Sequence, residues 1–149
     1  MAGSPGTAEA ITRFARRAAE SGRAPLRSLV FGLCVAAGEC TRQAMRRDPV
    51  RLQWALLEVL WCACRIGGPA VVSPLPAIPC GSLDAVILRL FRVVSQVAET
   101  YRWYDSTGRE PLEWDGLPEV IALAVLALEM TGVDVAVMLE GEEACEASN

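Results

Sequence analysis

One stretch, Ser82 to Tyr104, limits what this chain can fold into more than any other. Ser82 is a good N-cap, and Asp84 places a negative charge in the first turn, where the helix dipole favours it. Leu83, Val86, Ile87, Leu90, Val94, Val97 and Tyr101 then recur at spacings of three and four, the periodicity of a buried helical face. Leu88, Phe91, Val93 and Ala98 widen that stripe and leave Arg89, Arg92, Gln96, Glu99 and Arg102 for water. At about 1.5 Å per residue this helix is roughly 34 Å long, close to the diameter of a small domain. The spacing therefore predicts a central buried helix with other helices wrapped around it.

The remaining segments supply those helices. Thr7 caps a first helix to Ser21 with Ile11, Phe14, Ala15 and Ala18 on its inner face, and Gly22 ends it. Pro25 opens a second helix to Arg47, whose inner face is Leu26, Leu29, Val30, Leu33, Ala37, Thr41, Ala44 and Met45. Gly32 and Gly38 weaken it and predict close packing against another helix. Asp48 and Pro49 start a third helix to Ile66, with Val50, Trp54, Leu57, Trp61 and Cys64 on one line and Leu56, Val59, Leu60 and Ala63 beside it. Two tryptophans seven residues apart at helical spacing read as core or interface anchors.

Pro69 to Gly81 holds four prolines and no charge, so it cannot be a regular helix. Its Val71, Val72, Leu75 and Ile78 predict a loop packed onto the domain, and a first candidate contact surface. Asp115 is placed to cap a further helix to Met130. Val133 to Leu139 reads as a last short helix, although its alternating valines also fit a strand. The predicted fold class is all-α: a single-domain bundle of six to seven helices over residues 7–140, between an unstructured 1–6 and an acidic, unstructured 141–149.

Composition narrows the function. Hydrophobic residues make up 52% of the chain, too many for a disordered protein, yet no apolar run approaches the roughly 20 residues of a membrane span. Residues 1–6 lack the basic and apolar regions of a signal peptide, so the expected location is the cytoplasm, with the nucleus left open. All 14 basic residues are arginine. Residues 1–65 carry ten of them against five acidic residues, and residues 66–149 carry four against thirteen. A pI near 4.9 without a basic, aromatic-laced stripe argues against nucleic acid.

Cys34, Cys40, Cys62, Cys64 and Cys80 fall on or beside apolar faces, where cysteine serves as a small buried residue. Cys62 and Cys64 point about 200° apart on a helix, a poor clamp for one metal ion. There is no histidine and no lysine for acid-base or nucleophilic work, and no glycine-rich phosphate loop. The expectation is a protein that is not an enzyme and uses neither cofactor nor metal.

A binding role has a candidate site. Trp103, Tyr104, Arg109 and Trp114 gather in a turn-rich segment after the long helix, and tryptophan, tyrosine and arginine are the residues most enriched at binding hot spots. The alternative is that both tryptophans cap the core.

From Gly81 onward the order of segments resembles the poxviral branch of the Bcl-2-like family. The stretches that carry the resemblance are SLDAVILRLFRVVSQVAETYRWYD, EWDGLPEVIALAVLALEM and GVDVAVMLEGEE. It implies a Bcl-2-like bundle that binds a host signalling protein in the cytoplasm and suppresses innate immune signalling through the NF-κB pathway, with a homodimer possible. Where the cellular family carries an Asn-Trp-Gly-Arg motif, this chain reads Pro79, Cys80, Gly81, Ser82. Surface contact is therefore implied ahead of the alternative, inhibition of apoptosis by gripping pro-death amphipathic helices in a groove. A structural or oligomeric bundle is the remaining reading.

Overall fold

Capping chemistry sets the helix ends. The computed structural model describes residues 5–72, 75–79, 81–109, 111 and 114–147, with side chains described for all of these except 5, 70, 71 and 142–147. Six α-helices follow in order: α1 (Pro5–Glu20), α2 (Leu26–Met45), α3 (Pro49–Gly67), α4 (Leu83–Thr107), α5 (Leu117–Met130) and α6 (Val135–Ala147). A 3₁₀ turn, Pro69–Val72, follows α3. Among the described residues there is no strand, so the chain is the all-helical bundle its periodicity predicts.

Ser82 Oγ accepts the Ala85 N–H at 3.1 Å, and Asp48 Oδ1 accepts the Arg51 N–H at 3.1 Å, as capping residues should. Other ends differ from expectation. Nothing between Tyr104 and Gly108 breaks a helix, so α4 runs on to Thr107 and stops at Gly108, whose φ of +68 and N–H bond to the Tyr104 carbonyl (2.8 Å) form a left-handed cap. Asp105 to Thr107 are thus helix. Gly116, with φ +91, caps α5 in place of Asp115. α1 begins at Pro5, where the fixed φ of proline suits a first turn, so Pro5 and Gly6 leave the expected unstructured segment. Residues 1–4 lie outside the described residues. α6 continues through residues 141–147, whose alanine and glutamate favour helix, and residues 148 and 149 lie outside.

Helices α2, α3, α5 and α4 close a ring in which each packs on the next, with α1 against α3 and α6 against α1. This changes which helix is central. α5 is enclosed by α3, α4, the 3₁₀ turn and α6, and every side chain from Val120 to Leu128 is buried. α4 is one wall of the ring. Its charged residues recur every turn and need water, whereas the charges of α5 are confined to its ends, at Glu119 and Glu129. Leu88 and Phe91, expected inward, are therefore exposed, while Val86, Ile87, Leu90, Val93, Val94 and Val97 are buried.

Met45, Val50 and Trp54 are also exposed. The inner face of α3 centres on Leu52, Leu56, Val59 and Leu60, which turns Val50 and Trp54 outward, while Trp61 packs edge-on against Phe14 (centroids 5.6 Å apart). Val72 is buried and Leu75 and Ile78 pack on the core, so the proline-rich loop is seated as expected. The Val71 side chain and Cys80 lie outside the described residues. No single described helix is long and apolar enough to cross a membrane.

The four cysteines with described side chains are free: Cys34 is half-buried, and Cys40, Cys62 and Cys64 are buried. A Cβ on Gly32 would lie 3.3 Å from Cys62 Sγ, which is the close helix packing expected there. Gly38 has no such neighbour within 4 Å. Burial, with Glu39 adding to it, pushes the Cys40 thiol up to about 12, and burial alone takes Cys64 to about 12.

Two predictions follow from these contacts. A Cβ on Gly116 would sit 2.8 Å from Val93 Cγ1 with φ at +91, so Gly116→Ala should cost about 2–4 kcal/mol in urea denaturation, from strain and overpacking together. Gly132→Ala, with φ +91 but open space, should cost only about 1–2 kcal/mol. Equal losses would contradict the packing of Gly116 on α4. For pH, the folded-state thiols of Cys40 and Cys64 are raised above the ordinary value of 9.0. Their contribution is whole below pH 9 and is lost as pH climbs toward 12, at up to about 1.4 kcal/mol per pH unit for each thiol. Unfolding midpoints at pH 8 and pH 10 test this, and a Cys64→Ala variant should show the shallower decline.

Candidate functional site

The four residues singled out after the long helix differ in exposure. Trp103 sits on the last turns of α4 with 52% of its surface exposed, and Arg109 is exposed just past the Gly108 cap. Tyr104 is half-buried, its ring centroid 6.2 Å from that of Tyr101. Trp114 packs on the core. The reading that tryptophans cap the core thus holds for Trp114 and not for Trp103. The segment's Glu110 lies outside the described residues.

A larger apolar surface lies along α2 and α4. Phe31, Val35, Gly38, Arg42 and Met45 follow one another at spacings of four, three, four and three on α2. Leu88, Phe91, Ser95, Ala98 and Arg102 do so at three, four, three and four on α4. The two helices pack side by side and antiparallel: Met45 and Leu88 share one recess of about 430 Å³, and Phe31 and Ala98 share another of about 480 Å³. Exposure at Phe31 (70%), Met45 (78%) and Leu88 (63%) is far above what a core needs. Val35 and Phe91 are exposed between them. Scattered single apolar residues on a surface need no explanation, but five large ones in two adjoining stripes form a patch.

The rim of this face is mainly arginine: Arg27 and Arg47 line the recesses, and Arg42 and Arg102 stand on the stripes. Arg47 reaches Asp84 at 3.6 Å across the mouth of one recess, an exposed pair that contributes little to stability. Arg47 itself has φ +57 in the tight corner after α2, where its N–H donates to the Ala44 carbonyl and the Asp48 N–H to the Gln43 carbonyl. Cys34 lines the other recess, where partial burial raises its thiol.

A third recess, about 500 Å³, lies between α4 and α5 and is polar, lined by Gln96, Glu99, Thr100, Asp115 and Glu119. Glu119 accepts from Arg89 Nε at 2.8 Å, so that carboxylate ties α4 to α5.

The signal for the α2/α4 face was present in the sequence. Phe31 and Val35 fall outside the inner stripe of α2, and large apolar residues off the inner stripe of an amphipathic helix mark a second contact. No family model, curated protein or solved structure matches the chain.

The recess geometry predicts an order of thiol reactivity. Of Cys34, Cys40, Cys62 and Cys64, a maleimide at pH 8 should label Cys34 first, and the other three only after urea unfolds the chain. Early labelling of Cys40 or Cys64 would contradict their enclosure.

Proposed function

We propose that this chain acts by binding other proteins rather than by catalysis, with the α2/α4 apolar face as its main contact. The observation that carries this reading is the exposure of Phe31, Val35, Met45, Leu88 and Phe91 on one face above two shallow recesses. Leaving that much apolar surface in water is unfavourable, and a partner that covers it recovers about 25 cal/mol per Å². Trp103 on the last turns of α4 and Arg109 just past its cap offer a second, smaller contact.

The biological setting that fits best is a Bcl-2-like host-interaction protein in the cytoplasm that suppresses innate signalling through the NF-κB pathway. The order of a long helix with an aromatic exit, an apolar helix and a final short helix supports it. The apolar floor of the α2/α4 recesses favours one further reading, a groove that takes the amphipathic helix of a pro-death ligand.

A cytokine-driven NF-κB reporter tests the first reading. Expression of the chain should lower the signal several-fold, and the double variant Phe31→Glu with Leu88→Glu should restore it while leaving thermal stability unchanged, since both side chains already face water. A reporter indifferent to the chain removes the NF-κB setting. Saturable binding of pro-death peptides, lost in the same double variant, would move the function to apoptosis.

A further inference from the structure

We infer that the corner between α2 and α3 docks on an anionic lipid surface, with Met45, Val50 and Trp54 entering the headgroup region and arginines holding the lipid phosphates. The corner adjoins the α2/α4 face, shares Met45, Arg42 and Arg47 with it, and goes beyond the protein contact proposed there.

Backbone and capping bonds make this corner a fixed tip. Only residues 46–48 separate the end of α2 at Met45 from the start of α3 at Pro49. The Arg46 N–H donates to the Arg42 carbonyl and the Asp48 N–H to the Gln43 carbonyl, each at 3.1 Å, while Asp48 accepts the Arg51 N–H. Two helices joined by so short a connection lie antiparallel, and their junction is convex. Gln53 Nε2 donates to Thr131 Oγ1 at 3.2 Å and so ties the start of α3 to the end of α5.

The tip exposes both apolar groups and positive charge. Met45 is 78% exposed, Val50 58% and Trp54 57%. Val50 and Trp54, four residues apart, share a face of α3. Tryptophan, with an apolar body and one N–H donor, favours places where an apolar phase meets water. Four arginines stand in the same stretch. Arg47 and Arg51 reach Asp84 and Asp48, each at 3.6 Å in exposed pairs, and Arg42 and Arg46 make no ion pair among the described residues. Residues 42–54 thus carry four arginines against one acid, whereas the rest of the chain carries ten against seventeen.

Charge selects an anionic partner, and shape selects a fluid one. A positive tip on an acidic body is turned toward a negative surface by its field, while the body is held off. Guanidinium groups match phosphate oxygens two at a time. A nucleic acid duplex would engage these arginines and leave Met45 and Val50 without an apolar phase. A folded protein would have to offer a cavity shaped to the tip. Lipid headgroups part around it, take apolar side chains beneath the phosphates, and keep the arginine heads among them on their long stems. α2 and α4 both run away from this end, so Phe31, Val35 and Phe91 stay in water and open to a protein partner while the tip is docked.

Flotation of the full chain with phosphatidylcholine vesicles, alone or with about a third phosphatidylserine, tests the docking. The chain should float with the anionic vesicles and not with the neutral ones, and less so as salt rises. Arg42→Gln with Arg46→Gln should weaken partitioning about 25-fold, at about fivefold per charge. Met45→Ser with Val50→Ser should weaken it at least about tenfold, and both pairs should leave the melting temperature unchanged because these side chains already face water. Brominated acyl chains should quench the wild type's fluorescence, and Trp54→Phe should abolish that quenching although Trp61, Trp103 and Trp114 remain. Phe31→Glu, away from the tip, should float as the wild type does while losing the reporter effect, so this inference and the protein contact can each fail alone. Absence of flotation, equal flotation with neutral vesicles, partitioning that survives the arginine pair, or quenching that survives Trp54→Phe overturns the inference. Binding to duplex DNA or soluble polyphosphate without flotation overturns it too, and assigns the tip to a soluble polyanion.

Discussion

Enclosing α5 is the constraint to which the rest of the bundle answers. Its ten fully apolar positions from Leu117 to Leu128 leave no side that tolerates water, so neighbours must stand all round it. α3 and α4 take two sides, and the 3₁₀ turn and α6 the others. Gly116 fixes how near α4 can come: with no Cβ at that corner, Val93 fills the space, and the α5 start tucks under α4. A closed ring of four helices has a cost, because two of its members keep an outer face that no described residue covers. For α2 and α4 those faces adjoin.

Much of this was legible in sequence. Ser82, Asp48 with Pro49, Gly22 and the 3.6-residue periodicity place the helices to within a few residues, because capping and amphipathicity are local. The position of each helix in the ring is not local. Ser82 to Tyr104 is the longest apolar segment and so reads as the centre, yet its arginines at 89, 92 and 102 hold it at the wall. The shorter α5 is the one whose charges lie only at its ends. Gly116 could not be told from an ordinary turn glycine, since its role depends on Val93, which is distant in the chain.

The candidate site was legible in the same uneven way. Trp103, Tyr104, Arg109 and Trp114 were grouped by proximity in sequence, which does not say which of them the fold buries. Gly108 lets α4 run on past Tyr104 and leaves Trp103 exposed, while the chain's return toward α5 seats Trp114 on the core. The α2/α4 face is assembled from residues distant in the chain, and only antiparallel packing of the two helices brings Met45 beside Leu88 and Phe31 beside Ala98. Gly38 was expected to pack closely on another helix, yet among the described residues nothing lies within 4 Å of where its Cβ would be.

The rim chemistry bears on how such a face stays usable. The chain is acidic overall, yet arginine dominates the border of its apolar patch. Guanidinium groups on long stems cover apolar surface while keeping their charge in water, so an unoccupied face is partly shielded against indiscriminate association. Like charges around the border also oppose every approach that does not interleave them. For any partner of this face, charge at the border therefore governs approach and orientation, and the apolar stripe governs affinity.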